Sequence, residues 1–108
     1  MRSKRPDKSE NMIVKVHSIN EKKLVAVCDD NLLGKKFEEG ELQIDLTGNF
    51  YRGEKTEENE IGEMVKNAYL IDFVGEESVA YAIKKGLARS EGVLRISGIP
   101  KAQVFSLN

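Results

Sequence analysis

Residues 72 to 87, DFVGEESVAYAIKKGL, hold a short apolar run, a single glycine and then an apolar stripe at helical spacing. A strand, a tight turn and a helix in that order can cradle a phosphate, because the first N–H groups of a helix lack intrahelical partners and carry partial positive charge. Phosphate loops bring several glycines, as in G-x-G-x-x-G or G-x-x-x-x-G-K-[ST], and leave the helix start free of negative charge. Gly75 stands alone, and Glu76 and Glu77 follow it. Two like unit charges about 5 Å apart repel by roughly 3 kcal/mol at an effective dielectric near 20. The sequence therefore predicts a plain helix entry at Gly75, with the glutamates where an anion would sit, and no nucleotide or other cofactor.

His17, Cys28, Asp29 and Asp30 are the remaining residues with metal-binding or nucleophilic chemistry. Whether they meet depends on how MIVKVHSI and the run ending in VAVCDD pair as a β-hairpin. A three-residue loop of Asn20, Glu21 and Lys22 pairs Ile19 with Lys23 and places Met12, Val14 and Val16 beside Leu24, Ala26 and Cys28. Ile13, Lys15 and His17 then face Val25, Val27 and Asp29. That register sends His17 and Cys28 to opposite faces, and a one-residue slip reunites them. There is no C-x-x-C and no second histidine, so a tetrahedral zinc site lacks ligands. No metal site is expected, with Cys28 in the core and His17 half exposed.

Catalysis is weakly supported. Ser18 and Ser97 lie outside any nucleophile-elbow pattern, adjacent Asp29 and Asp30 diverge on an extended chain, and Glu38, Glu39 and Glu41 read as a solvated acidic turn. A site around Asp29, Asp30 and His17 is the one enzymatic alternative. Nucleic-acid binding has more material: Phe50, Tyr51 and Arg52 offer stacking groups, and Lys84, Lys85, Arg89, Arg95 and Lys101 offer cations around the second helix and the strand that follows. Lys84 and Lys85 also complement a helix C-terminus, and Phe50 and Tyr51 also suit a core.

These residues need elements to position them. After the hairpin, DNLLGKKFEEG reads as an irregular segment pinned by Leu32, Leu33 and Phe37. In ELQIDLTG, Leu42, Ile44 and Leu46 alternate with Gln43 and Asp45, predicting a strand with one wet face. Thr56 is the expected N-cap of a helix whose stripe is Ile61, Met64, Val65, Ala68 and Tyr69. Leu70 to Val74 reads as a short buried strand. The second helix, from about Glu76 to Lys85, turns Val79, Ala82, Ile83 and Leu87 inward, with Gly86 as its left-handed C-terminal residue. VLRIS and AQVFSL close the chain as strands. The expected architecture is α+β: a small mixed sheet with an N-terminal β-hairpin and two helices packed on one face.

The 108 residues are 40% hydrophobic and 32% charged, which is too apolar for disorder, and no apolar run approaches a membrane span. The net charge is −1, and without residues 1–11 the chain carries 13 basic against 16 acidic residues. No DNA or membrane partner is expected from that balance. Residues 1–11, MRSKRPDKSEN, read as a disordered basic tail ahead of a single domain over 12–108, with Met12 as the natural start. One cysteine and no export signal point to the cytoplasm.

The run VKVHSINEKKLVAVCDDNLLGKKFEEGELQIDL, the turn FYRGE, the stretch FVGEESVAYAIKKG and the closing SGIPKAQ resemble a small archaeal family, domain of unknown function 424. The resemblance spans about residues 12 to 107 and implies an archaeal, cytoplasmic protein. It implies no activity and no functional residue. The family pattern often has histidine where this chain has Lys101, so a shared histidine site does not carry over.

The sequence thus points to a non-catalytic binding module with a macromolecular partner. A protein partner is favoured and RNA is the alternative. The candidate surface is Phe50, Tyr51, Arg52, Lys84, Lys85, Arg89 and Lys101.

Overall fold

The computed structural model describes residues 11–105. The basic tail expected at the N-terminus lies, apart from Asn11, outside the described residues. Strands β1 (Met12–Ile19) and β2 (Lys22–Asp29) form the N-terminal hairpin, followed by β3 (Lys36–Glu39), β4 (Leu42–Asp45) and the two-residue β5 (Glu54–Lys55). Helix α1 (Glu58–Met64), β6 (Leu70–Val74), α2 (Glu76–Lys84), β7 (Leu94–Ile96) and β8 (Ile99–Phe105) complete the chain. Six strands make a mixed sheet in the order β5-β1-β2-β6-β8-β7, and β3 and β4 pair separately. The fold is α+β, as expected.

Both helices cover one face of the sheet. Met12, Val14, Val25, Val27, Ile71, Phe73 and Ala102 pack there against Ile61, Val79, Tyr81 and Ala82. On the opposite face Ile13, Ala26, Cys28, Val74 and Ile96 pack against Leu32, Ile44, Leu46 and Tyr51. The first is the helix face and the second the hairpin face, covered by the β3–β4 hairpin. Burial on both sides explains why β2 is an almost unbroken apolar run.

The β1–β2 register differs from the expectation by one residue. Ile19 pairs with Lys22, and Asn20 and Glu21 both adopt positive φ, 51° and 67°, as a mirror-image two-residue turn requires. Val14 therefore faces Val27 and Ile13 faces Cys28, and Asp29 moves to the helix face beside Met12. His17 and Cys28 share the hairpin face after all. His17 sits opposite Leu24, however, four residues and about 13 Å along the strand from Cys28, too far to share an ion.

Three other local expectations change. The segment from Asp30 to Gly40 contains β3, and β4 pairs with it instead of joining the main sheet. Thr56 does not cap α1: its N–H donates to the Met12 carbonyl and its hydroxyl to the Glu54 carbonyl, tying the chain to the sheet edge, and Glu57 is the N-cap residue. Helix α1 stops at Met64, so Ala68 reaches the core from the following turn and Tyr69 stays exposed. Helix α2 ends as expected, with Gly86 at φ 75° and the Leu87 N–H bonded to the Ala82 carbonyl at 2.8 Å.

Candidate functional site

The start of α2 is filled by a carboxylate, though not by the one expected. Strands β2 and β6 run parallel with Cys28 beside Val74, so Asp29 and Gly75 come next to each other at the ends of their strands. The Asp29 carboxylate accepts the Glu77 N–H at 3.0 Å, and the Ser78 N–H and hydroxyl at 2.8 Å each. A Cβ on Gly75 would lie 2.3 Å from the Asp29 carboxyl carbon, and Gly75 holds φ at 111°. Glycine is needed here for the carboxylate's approach. Glu76 turns away to Arg95, 3.0 Å from its guanidinium. The phosphate position is thus occupied by Asp29 from a distant strand, and the two glutamates are secondary.

The catalytic alternative of Asp29, Asp30 and His17 does not assemble. Asp29 caps α2, and Asp30 lies 3.5 Å from the Lys55 ammonium. His17 stacks on Phe50, with ring centroids 4.6 Å apart and planes within 8°, and its Nε2 lies 2.9 Å from the Phe50 carbonyl oxygen. Cys28 is buried with a thiol pKa pushed up to about 12, chiefly by desolvation and further by the charges of Asp29, Asp30 and Asp72. A thiol held protonated near neutral pH is a poor nucleophile and a poor ligand. Among the described residues there is no cluster of three or more His, Cys, Asp or Glu able to hold a metal ion.

The turn from Asn49 to Gly53 is built into the hairpin face from beneath. Alternation along β6 points Leu70, Asp72 and Val74 to this face, and Asp72 is 3% exposed. The Tyr51 hydroxyl donates to Asp72 Oδ2, and the Lys101 ammonium lies 3.1 Å from Oδ1 and 3.3 Å from Oδ2. Oδ1 has no partner in hydrogen-bonding alignment, so the ammonium neutralises it by proximity. Burial, then the Asp72 charge and the hydrogen bond to it, raise the Tyr51 pKa strongly, which keeps the phenol protonated as a donor. Gly53 passes so close to β1 that a Cβ would fall 1.9 Å from the Val14 carbonyl oxygen. With Tyr51 anchored inward and Gly53 pressed on the edge, Phe50 is left outward, 39% exposed on the His17 ring.

Beyond Phe50 the hairpin face is open. The cross-strand row nearest the β1–β2 turn is His17, Leu24, Leu70 and Phe105, and none of the four belongs to the buried cluster on this face. Phe105 is 57% exposed and its ring lies nearly perpendicular to that of Tyr69, with centroids 6.1 Å apart. The next row is Lys15, Ala26, Asp72 and Gln103.

The residues expected to form one binding surface fall on two. Phe50, Tyr51, Arg52 and Lys101 belong to the hairpin face or its rim, and Tyr51 is buried there as the anchor. Lys84 and Lys85 lie on α2 and at its end, across the sheet, with Arg89 following. The Lys84 ammonium pairs with Glu58 at 2.9 Å, and that of Lys85 lies 6.0 Å from the Tyr81 ring centroid beside a cleft of about 330 Å³ between the helices. The sequence reading missed His17 as a stacking partner and Asp72 altogether. The signal for Asp72 was present: a carboxylate at the centre of the apolar run Leu70 to Val74 must find a buried partner.

Fold and site together define a small α+β domain with a mixed sheet, helices on one side, and a polar anchor beneath an exposed aromatic turn on the other. The chain belongs to the family described as "Protein of unknown function (DUF424)", which it matches over residues 16–107. Its fold is similar to that of an uncharacterized conserved protein from Methanopyrus kandleri, with a TM-score of 0.74 at 23% identity, covering 87% of this chain and 90% of that one. No curated protein matches the chain. Among the described residues no helix is long and apolar enough to cross a membrane.

Proposed function

We propose that the protein is a non-catalytic binding module that presents the open end of its hairpin face to a macromolecular partner in the cytoplasm. The observation that carries this reading is Phe50, held outward on His17 by a turn whose neighbour Tyr51 is locked to Asp72. Fully burying a phenylalanine stabilises a fold by about 1.5–3 kcal/mol, so a rigid turn that leaves Phe50 39% exposed forgoes part of that gain. An aromatic fixed in place loses little entropy when a partner covers it. Phe105 and Tyr69 extend the same exposed apolar surface. The unpaired thiol of Cys28 suits a reducing compartment.

Affinity capture from native extract, with and without nuclease, tests the reading. A specific partner is expected with the wild-type chain and with Lys85→Ala on the other side of the sheet, and is lost with Phe50→Ala. Capture that is absent, or indifferent to Phe50→Ala, refutes it.

A further inference from the structure

We infer that the partner seated on this face is a single-stranded nucleic acid, whose bases stack on Phe50 and Phe105 while its phosphates face Lys15 and Arg52. The inference rests on the binding-module reading above and names its ligand. Three features carry it. The first is the type of exposed group: two phenylalanine rings stand on the open face at opposite ends of one cross-strand row, His17 beneath Phe50 at one end and Phe105 at the other. Three strand spacings separate the row's ends by about 14 Å, or about four stacked steps of 3.4 Å. Aromatic side chains on an open sheet are a recurring platform for unpaired bases, whereas bases in a duplex are already stacked on each other.

The second feature is charge. Lys15 lies on the same face of β1 as His17, one row in, and Arg52 follows Phe50 by two residues in an exposed position. Among the described residues neither cation has an ion-pair partner within 4.0 Å. The carboxylate of the inner row, Asp72, is buried and neutralised by Lys101. Lys15 and Arg52 therefore offer unpaired cations beside the platform although the whole chain carries −1. The third feature is rigidity. Tyr51, Asp72 and Gly53 fix the turn, so Phe50 is positioned before any base arrives.

Fluorescence anisotropy with the full chain and a labelled ten-nucleotide RNA of mixed sequence, single-stranded or annealed to its complement, tests this. The single strand is expected to bind and the duplex to bind at least tenfold more weakly. Phe50→Ala and Phe105→Ala should each weaken single-strand binding about five- to hundredfold, the range for losing one stacked base. Phe50→Tyr should preserve it. Lys15→Ala and Arg52→Ala should each flatten the log–log salt slope by about 0.7. Phe50 is 39% and Phe105 57% exposed, and Phe50→Ala gives up its stack on His17. The alanine variants should therefore melt cooperatively at a somewhat lower temperature, and a chain still folded at the assay temperature excludes misfolding as the cause. No single-strand binding, equal binding to duplex, or binding indifferent to both phenylalanines overturns the inference. If the RNA fails to bind while Phe50→Ala still abolishes a nuclease-resistant capture, the partner is a protein and the binding-module reading survives. If capture too ignores Phe50, both fall.

Discussion

Asp29→Ala should destabilise the fold severely and create an anion site where the wild-type chain has none. In the wild type the Asp29 carboxylate takes two backbone N–H groups and one hydroxyl at the first turn of α2, and Ser78 is fully buried. Losing a helix cap costs about 0.5–2 kcal/mol, and each buried donor left without a partner costs about 1–3 kcal/mol more. The Glu77 N–H is only half-buried, so the cap and the two Ser78 donors set the expected loss at about 2.5 kcal/mol or more, a large share of the roughly 5–15 kcal/mol available to a domain. At about 4–8 °C per kcal/mol the melting temperature should fall by about 10 °C or more. Urea denaturation with and without 50 mM phosphate measures both effects. Phosphate should raise the midpoint of Asp29→Ala by occupying the vacated N–H groups and should leave the wild type unchanged, apart from the shift that sodium chloride of equal ionic strength also gives. A loss below about 0.5 kcal/mol, or a specific phosphate effect on the wild type, would mean that the helix start is not held by Asp29.

Two further outcomes follow from the buried groups. Lys101→Met strips Asp72 of its counter-charge and should cost about 2–3 kcal/mol, below the about 3–5 kcal/mol of a fully buried pair because the lysine reaches solvent. Adding Asp72→Asn should recover part of that loss, and a double variant no more stable than Lys101→Met in urea titration would contradict the pairing. Cys28 keeps its proton in the folded chain up to about pH 12, whereas the unfolded thiol releases it from its ordinary 9.0. Its contribution is therefore complete below pH 9 and declines by about 1.4 kcal/mol per unit above it. The raised pKa of Tyr51, which follows from burial and the Asp72 charge, acts in the same direction above its ordinary 10.0. Urea midpoints should fall between pH 8 and 10.5 and fall less in Cys28→Ala; equal declines would show that the thiol is not the cause.

Much of the fold was legible because local signals agreed with the tertiary structure. The hydrophobic stripe and Gly86 gave α2, and the β-rich runs at Met12 and Lys22 gave the hairpin. The register was not legible. Both faces of β2 are covered, so Val25 and Val27 bury as fully as Ala26 and Cys28, and apolar alternation had no solvent side to choose against. The deciding residues were Asn20 and Glu21, whose positive φ makes a two-residue turn that Glu21, a poor left-handed residue, does not announce. The candidate surface failed as a unit for a related reason. Helix α2 lies across the sheet from the Asn49–Gly53 turn, and no local pattern says which face a distant loop will cover.

The residues alone settled that the helix after Gly75 begins with negative charge nearby, that Cys28 is core, and that α+β packing accommodates the chain. Those are matters of short-range periodicity, charge and turn chemistry. Only the folded structure decided that Asp29 is the carboxylate capping that helix, and that Asp72, Tyr51 and Lys101 meet beneath Phe50. Parallel pairing of β2 with β6 and the crossing of residues 46–51 over the sheet join positions 21 to 49 residues apart. Their contact energies depend on register and face, which sequence spacing does not encode.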